Sequence, residues 1–308
     1  MEHPRFVIAV HGGAGTMAPN PASEAPYRRA LEAALGAGTA LLESGGAALD
    51  AAQAAVMSLE DCPLFNAGRG AVYTAQARHE MDAAVMDGRR LAAGAVACVH
   101  GVRNPVALAR SVLDASGHVL LVGEGAQCFA QQMGLAMEPE AYFHTDERLA
   151  DLHRVQDQRR PPQAAHFGTV GAVALDMAGH LAAAVSTGGL TAKRPGRVGD
   201  AAVIGAGIYA SDLSCAVVAT GTGEHFIRTA AAHDVHARIA YRGQTLHEAV
   251  PDVVFGELLR IGGRGGMIAV DARGEVSMPF NTSAMYRGLQ RQGEAARTAI
   301  FQDEAPGP

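Results

Sequence analysis

The sequence predicts an α+β fold in which antiparallel sheets are covered by pairs of helices. Two observations carry the prediction. Strand-like runs come as hairpins around turn signals such as Asp87-Gly88 and Ala178-Gly179, and the helical stretches come two at a time. Neither fits β-α-β alternation, in which each parallel strand needs its own crossover. A chain of 308 residues with 48% hydrophobic and 18% charged composition can bury one large core or two modest ones, which excludes disorder and collagen. Glycine is over-used, 37 of 308 residues or about 12% against an average near 7%. No repeat accounts for the excess, so the reason must lie in the backbone.

Taken in order, Arg5 to Val10 reads as a buried strand running into a glycine turn at Gly12-Gly13-Ala14-Gly15. Ser23 to Glu43 carries Leu31, Leu35, Leu41 and Leu42 among alanines and stops at Gly45-Gly46; Ala47 to Leu59 forms a second alanine-rich helix. Short strands follow at Val72 to Thr74, Met81 to Met86 and Ala93 to Val99, and Asn104-Pro105 supplies N-cap and first turn of a helix through Leu113. Residues from about 156 to 168 are polar, aperiodic and contain paired prolines, and read as a mobile linker within a single domain spanning 1–308. Beyond it, Thr169 to Asp176 and Leu181 to Ser186 form a buried hairpin. Strands at Ala201 to Ile208 and Ser214 to Thr220, helices at Gly223 to Ala240 and around Leu246 to Arg260, and strands at Met267 to Asp271 and Val276 to Pro279 complete the pattern.

A net charge of −6 argues against nucleic acid or an acidic membrane as partner and leaves small molecules or protein. The four cysteines form no C-x-x-C pair, which suits a reduced, cytoplasmic setting. The apolar stretch Phe6 to Val10 is too short for a signal sequence or a membrane span. Gly205-Ala206-Gly207-Ile208-Tyr209-Ala210 fits a dinucleotide fingerprint on paper, but a strand follows it where a pyrophosphate-binding helix is required. His11-Gly12-Gly13 resembles an esterase oxyanion loop without the G-x-S-x-G elbow that such enzymes need. There is no phosphate loop, and the thirteen histidines include no H-E-x-x-H.

Hydroxyl chemistry without a histidine base remains. Threonines stand beside glycines at strand ends in Gly168-Thr169, Ser186-Thr187-Gly188-Gly189 and Thr220-Gly221-Thr222-Gly223. One such threonine would be ordinary β-propensity; three in one half-chain ask for another reason. A threonine at a chain start can use its own α-amine, of pKa about 7.7–8.0, as base. Thr169 would gain that amine if the chain were cut before it. Gly168 leaves the scissile carbonyl unshielded by a Cβ, and an N-to-O shift followed by ester hydrolysis would free the amine.

With these residues go Pro63-Leu64-Phe65-Asn66-Ala67-Gly68, Met81-Asp82-Ala83, Met86-Asp87-Gly88, Gly196-Arg197-Val198-Gly199-Asp200 and Pro279-Phe280-Asn281-Thr282. From His11 to about Arg287 the set resembles the plant-type L-asparaginase/isoaspartyl peptidase family of N-terminal-nucleophile hydrolases. The resemblance implies a four-layer αββα sandwich, made as a precursor that cuts itself at Gly168-Thr169 into an α-chain, 1–168, and a β-chain, 169–308. It implies a homodimer of such αβ units. It makes Thr169 the nucleophile, with Thr187 bonded near it, Thr220 and the Gly221 amide as oxyanion hole, and Asn66 as a support. Arg197 would bind the α-carboxylate of an aspartyl group, and Asp200 with the carbonyls of Gly221 and Gly223 its ammonium; that division suits the chemistry of both groups. An Arg197–Asp200 surface pair is the alternative.

The family's sodium loop would map onto the carbonyls of Leu59, Glu60, Cys62, Phe65, Ala67 and Arg69, although Glu60 and Asp61 also read as helix-end carboxylates. No cofactor is implied for catalysis. Ala192 and Ala201-Ala202 depart from the family's usual Asn and Ser-Pro and bear on the pocket's shape. His166-Phe167-Gly168 departs from the His-Asp of glycosylasparaginases, which points to isoaspartyl peptides and asparagine over glycosylated asparagine. The rival reading is a fold that never matures and merely holds an amino acid.

Overall fold

The computed structural model describes residues 6–15, 20–157 and 168–304. Strand β1 (Val7–Gly15) is followed by helices α1 (Pro21–Glu43) and α2 (Ala48–Glu60), then by β2 (Met81–Asp87), β3 (Ala92–Val99), α3 (Pro105–Ser111) and β4 (Leu120–Val122). Helices α4 (Gly123–Gln132), α5 (Glu140–Phe143) and α6 (Asp146–Asp157) close the first half. The second half runs β5 (Val170–Leu175), β6 (Leu181–Thr187), β7 (Ile208–Ala210), β8 (Cys215–Gly221), α7 (Gly223–Thr229), α8 (Ala231–Arg242), α9 (Leu246–Pro251), α10 (Leu258–Arg260), β9 (Gly265–Asp271), β10 (Val276–Ser277), β11 (Ala284–Arg291) and β12 (Arg297–Phe301).

The strands form two sheets, ordered β12-β11-β1-β5-β6-β2-β3-β4 and β10-β9-β8-β7, and every pair but β3/β4 is antiparallel. Period-two alternation sorts the side chains into layers. On β5, Val170, Ala172 and Ala174 join α1, α2 and α3 in one core, while Val173 and Leu175 face β8 and β9 in a second. On β8, Ala216 and Val218 belong to that inter-sheet core, and Cys215, Val217 and Ala219 meet α7, α8 and α9 in a third. Three cores between four layers are the αββα sandwich. Both faces of the central strands are buried, which is why they read as unbroken apolar runs.

Several local expectations are corrected. Gly12 to Gly15 are not a turn: β1 runs through them, with a bulge between His11 and Gly13 against β11 that the positive φ of Gly13 absorbs. Val72 to Thr74 is not a strand beyond a single bridge from Thr74 to Lys193, because its polar groups serve the Asn66 side chain and the 192–193 backbone. Ala201 to Ile208 is not a strand until Ile208: it opens in a 3-10 turn over Asp200–Ala202 and continues as a loop wound so tightly that a Cβ on Gly207 would stand 2.5 Å from the Asp200 carbonyl oxygen. The expected helix from Gly223 to Ala240 breaks at Ala230, whose φ of 48° is left-handed; the next N–H groups, of Ala232 and His233, bond the carbonyls of Ala206 and Gly205 instead. Asn104 does not cap α3 with its side chain, and the Val106 N–H is taken by the buried Glu60 carboxylate at 3.0 Å. Within the expected linker, Gln156 and Asp157 end α6, and residues 158–167 lie outside the described residues.

Candidate active site

The hairpin β5/β6 brings the first two threonines together. Val170 pairs with Ser186, so the residue before one strand meets the residue ending the other. Thr169 Oγ1 donates to Thr187 Oγ1 at 3.3 Å, and Thr187 Oγ1 donates to the Gly168 carbonyl at 2.9 Å while accepting the Gly189 N–H at 2.9 Å. Asn66 Nδ2 donates to the same Gly168 carbonyl at 2.8 Å and to the Gly189 carbonyl at 2.7 Å; its Oδ1 accepts the Val72 N–H at 2.9 Å. The carbonyl before Thr169 thus carries two donors, and the Thr169 hydroxyl proton points to an acceptor. Donors aimed at a carbonyl oxygen stabilise the charge that grows there on attack. Gly168 has to be glycine, since a Cβ would stand 2.4 Å from the Asn66 Cβ.

The third threonine is the penultimate residue of β8. Thr220 is buried, and its hydroxyl accepts the Ala14 N–H at 3.3 Å, which leaves its own proton to donate. Gly221 follows with φ of 150°, and a Cβ there would meet the Arg264 carbonyl oxygen at 2.2 Å. His11 packs its ring on Gly171 of β5; burial drives its pKa down to about 3 against a smaller opposing contribution from the Thr169 backbone, so the ring is neutral.

The loop after β6 carries Arg197 and Asp200 to the same end. A Cβ on Gly223 would lie 2.6 Å from Asp200 Oδ1 and 3.1 Å from the Arg197 guanidinium, so the three converge. The two charged residues are not paired with each other, contrary to the surface-pair alternative. Arg197 instead forks onto Glu224, Nε and Nη2 each at 2.9 Å. Burial alone would raise the Glu224 carboxyl, but the Arg197 hydrogen bonds and charge outweigh it and hold it below its usual value. Asp200 is buried, its Oδ2 has no hydrogen-bond partner among the described residues, and burial pushes its pKa up to about 7 despite the Arg197 charge. A buried carboxylate oxygen without a donor suits an incoming cation.

The stretch Leu59 to Arg69 doubles back on itself. A Cβ on Gly68 would stand 2.4 Å from the Glu60 carbonyl oxygen, and one on Gly70 would stand 2.1 Å from that of Phe65 and 2.5 Å from that of Pro63. The carbonyls there are partly engaged within the loop: those of Leu59, Phe65 and Ala67 accept the N–H groups of Cys62, Ala67 and Gly70. Arg148 of α6 ties the same loop down, donating to the carbonyls of Leu64 at 3.1 Å and Gly70 at 3.0 Å.

A family model described as Asparaginase matches residues 4–300. The chain belongs to the asparaginase family. Among its relatives, the "Isoaspartyl peptidase" of Escherichia coli (strain K12) is 48% identical, covering 97% of each chain. The "Plant-type L-asparaginase" of Pyrobaculum calidifontis is 42% identical over 93% of this chain and 97% of its own, and the "Isoaspartyl peptidase/L-asparaginase" of Xenopus laevis 39% identical over 91% and 90%. The four-layer sandwich is the architecture expected of this asparaginase family. Among the described residues no helix is long and apolar enough to cross a membrane.

Sequence reasoning passed over Glu224 and Arg148. Glu224 directly follows the Thr220-Gly221-Thr222-Gly223 run, and only the α7 helix start shows it facing Arg197. Arg148 lay in a stretch given no reading.

Proposed function

We propose that the chain is an amidohydrolase that cuts itself between Gly168 and Thr169 and then hydrolyses β-aspartyl dipeptides and L-asparagine. The observation that carries the reading is the pair of donors, Asn66 Nδ2 and Thr187 Oγ1, on the carbonyl next to the Thr169 hydroxyl. In self-cleavage, Thr169 Oγ1 attacks the Gly168 carbonyl carbon, its proton passing toward Thr187. As the C–N bond breaks, the Thr169 nitrogen takes up the proton the hydroxyl gave up and becomes the new α-amine, and water hydrolyses the resulting ester to separate an α-chain, 1–168, from a β-chain, 169–308. In turnover the α-amine takes the Thr169 proton as the hydroxyl attacks the β-carbonyl of the substrate. Thr220 and the Gly221 amide bear the oxyanion, each donor worth about 3–4 kcal/mol of barrier. The leaving amine departs, and water frees aspartate.

Arg197 binds the α-carboxylate of the aspartyl group, presenting the part of its guanidinium that Glu224 does not use. Asp200 with the Gly221 and Gly223 carbonyls binds the ammonium. The Leu59 to Arg69 carbonyls would hold a structural sodium ion, whose chemistry is limited to fixing the loop that carries Asn66. The working assembly in this reading is a homodimer of αβ units in the cytoplasm.

The test is Thr169→Ala. The parent protein gives two fragments on a denaturing gel, the larger-numbered one starting at Thr169, and releases aspartate from β-aspartyl dipeptides. The variant gives one uncut, inactive chain. An active Thr169→Ala protein refutes the reading, and an uncut, inactive parent favours the amino-acid-binding alternative.

A further inference from the structure

We propose that Glu80, Asp82 and Lys193 form a buried positioning unit that fixes the Arg197 loop for the α-carboxylate of the substrate, an inference that rests on the role given to Arg197 above. Glu80 immediately precedes β2 and Asp82 lies on it, two residues apart, so an extended backbone points both side chains to one face. That face meets the loop after β6. Glu80 Oε2 accepts the Gly196 N–H at 2.8 Å, and Asp82 Oδ2 accepts the Gly199 N–H at 3.1 Å. These two amides bracket Arg197. The second Asp82 oxygen accepts the N–H of Cys98 at 2.9 Å, a residue held at φ of 53° where β3 shifts register against β2, so the carboxylate is fixed from both sides.

Lys193 completes the unit. It is the single lysine of the chain and is only 3% exposed. Its Nζ donates to the Glu80 carbonyl at 2.7 Å and lies 2.9 Å from where a Cβ on Gly189 would stand. The Gly189 carbonyl in turn accepts from Asn66, which also donates to Gly168. Burial lowers the Lys193 pKa, while Asp82 and Glu80 act to keep it charged; burial raises that of Asp82, which Lys193, two backbone donors and Arg197 oppose. The ammonium bonds the Glu80 main chain and not its carboxylate, so Lys193 fixes the backbone of the strand that carries both acids while their carboxylates stay free for the Gly196 and Gly199 amides. With the backbone of the Arg197 loop held by Glu80 and Asp82, and its guanidinium held by Glu224, the arginine has one orientation left toward the substrate. Among the described hydrogen bonds none joins Glu80, Asp82 or Lys193 to Thr169, so the unit acts on binding more than on chemistry.

The experiment compares kcat/KM for a β-aspartyl dipeptide with kcat/KM for the same compound carrying a primary amide in place of the aspartyl α-carboxylate. A general loss of fold lowers both; a misplaced Arg197 lowers only the first. Glu80→Ala is expected to raise KM for the dipeptide about tenfold, leave kcat within about threefold, and shrink the preference for the carboxylate by about tenfold, the loss of a charge-assisted contact to one substrate group. Glu80→Gln keeps an acceptor for the Gly196 N–H and is expected to restore most of the preference. An unchanged preference in Glu80→Ala, or no recovery in a folded Glu80→Gln, overturns the proposal. Where Glu80→Ala gives no folded protein, Lys193→Met is held to the same criterion. Arg197→Ala runs in parallel. If it too leaves the preference unchanged, the role of Arg197 falls; if it alone collapses the preference, only the positioning unit falls.

Discussion

Replacing Asn66 tests the part of the site that acts before any substrate arrives. Its Nδ2 stands 2.8 Å from the Gly168 carbonyl oxygen and 2.7 Å from that of Gly189, and its Oδ1 holds the Val72 N–H at 2.9 Å. Asn66→Asp keeps the shape and the bond to Val72 but turns a donor into an anion facing two carbonyls. Removing one donor from a developing oxyanion costs about 2.7–4 kcal/mol, or roughly 10²–10³ in rate. Thr187 Oγ1, at 2.9 Å, stays as the other donor, so cleavage slows by about that factor and does not vanish. Asn66→Ala removes the donor without adding charge and is expected at the lower end. The assay is a time course on a denaturing gel, started from freshly synthesised uncut chain, with thermal unfolding alongside to show that the fold is intact. Cleavage of both folded variants at the parental rate would refute the assignment of Asn66 to the scissile carbonyl.

Three further outcomes follow from particular contacts. Asp200, raised by burial to about 7, is neutral below that value and ionised above it, so KM for an ammonium-bearing substrate falls as pH rises from about 6 to about 8; a KM flat across that window would remove Asp200 from the ammonium site. The sign for stability is opposite to that of a paired carboxylate: the folded value exceeds the unfolded one, so the contribution is present at acid pH and lost as pH rises through about 7. Gly94→Ala places a Cβ 2.1 Å from the Ala109 carbonyl oxygen and 2.5 Å from Leu113 N, forcing α3 off β3; a loss of about 1–3 kcal/mol should lower the unfolding midpoint, and an unchanged midpoint counts against the packing described. Replacing sodium by tetramethylammonium, too large for the Leu59 to Arg69 loop, should lower the midpoint and slow turnover together, since the same loop carries Asn66; no change in either would dismiss the cation site.

The fold class was legible because the hairpins are local. Val170 to Leu175 and Leu181 to Thr187 pair across five residues, and the apolar runs and turn signals lie side by side in the chain. The large sheet's order was not, since β1 sits between β5 and β11, partners more than 150 residues away in sequence on either side of no local signal. Loops shaped by bonds to residues outside the strand pattern read as strands by composition. Ala201 to Ile208 is as apolar as a strand, yet its backbone wraps Asp200 because the Gly207 N–H bonds the Asp200 carbonyl at 3.2 Å. The glycine run at the end of β1 looked like a turn by composition, when its use is a bulge beside a neighbouring strand. At the site, the threonines beside glycines pointed to the chemistry, but the residues that hold Arg197 did not stand out. Glu80 and Asp82 look like any acidic pair at a strand start, and their partners are backbone amides, which carry no sequence signature.

The glycine excess and the single buried lysine belong to one design. Gly168 lies against Asn66, Gly188 against the Asn66 carboxamide, Gly189 against Lys193, Gly207 and Gly223 against Asp200, and Gly221 against the Arg264 carbonyl, each at a distance no Cβ would tolerate. Apart from the Gly221 contact, which packs strand against strand, these contacts bring main chain to the residues given roles at the site: Asn66, Lys193 and Asp200. Side chains long enough to reach those groups would bring rotamer freedom with them, whereas a main chain fixed in a sheet brings none. Where a long side chain is unavoidable, as at Arg197, the structure removes its freedom by other means: amides on either side clamped by Glu80 and Asp82, the guanidinium held by Glu224, and the intervening loop pinned by Lys193. A site built this way should tolerate substitution at its glycines less than at its exposed charges, and loosening any of the clamps on Arg197 should be where selectivity for the carboxylate is most easily lost.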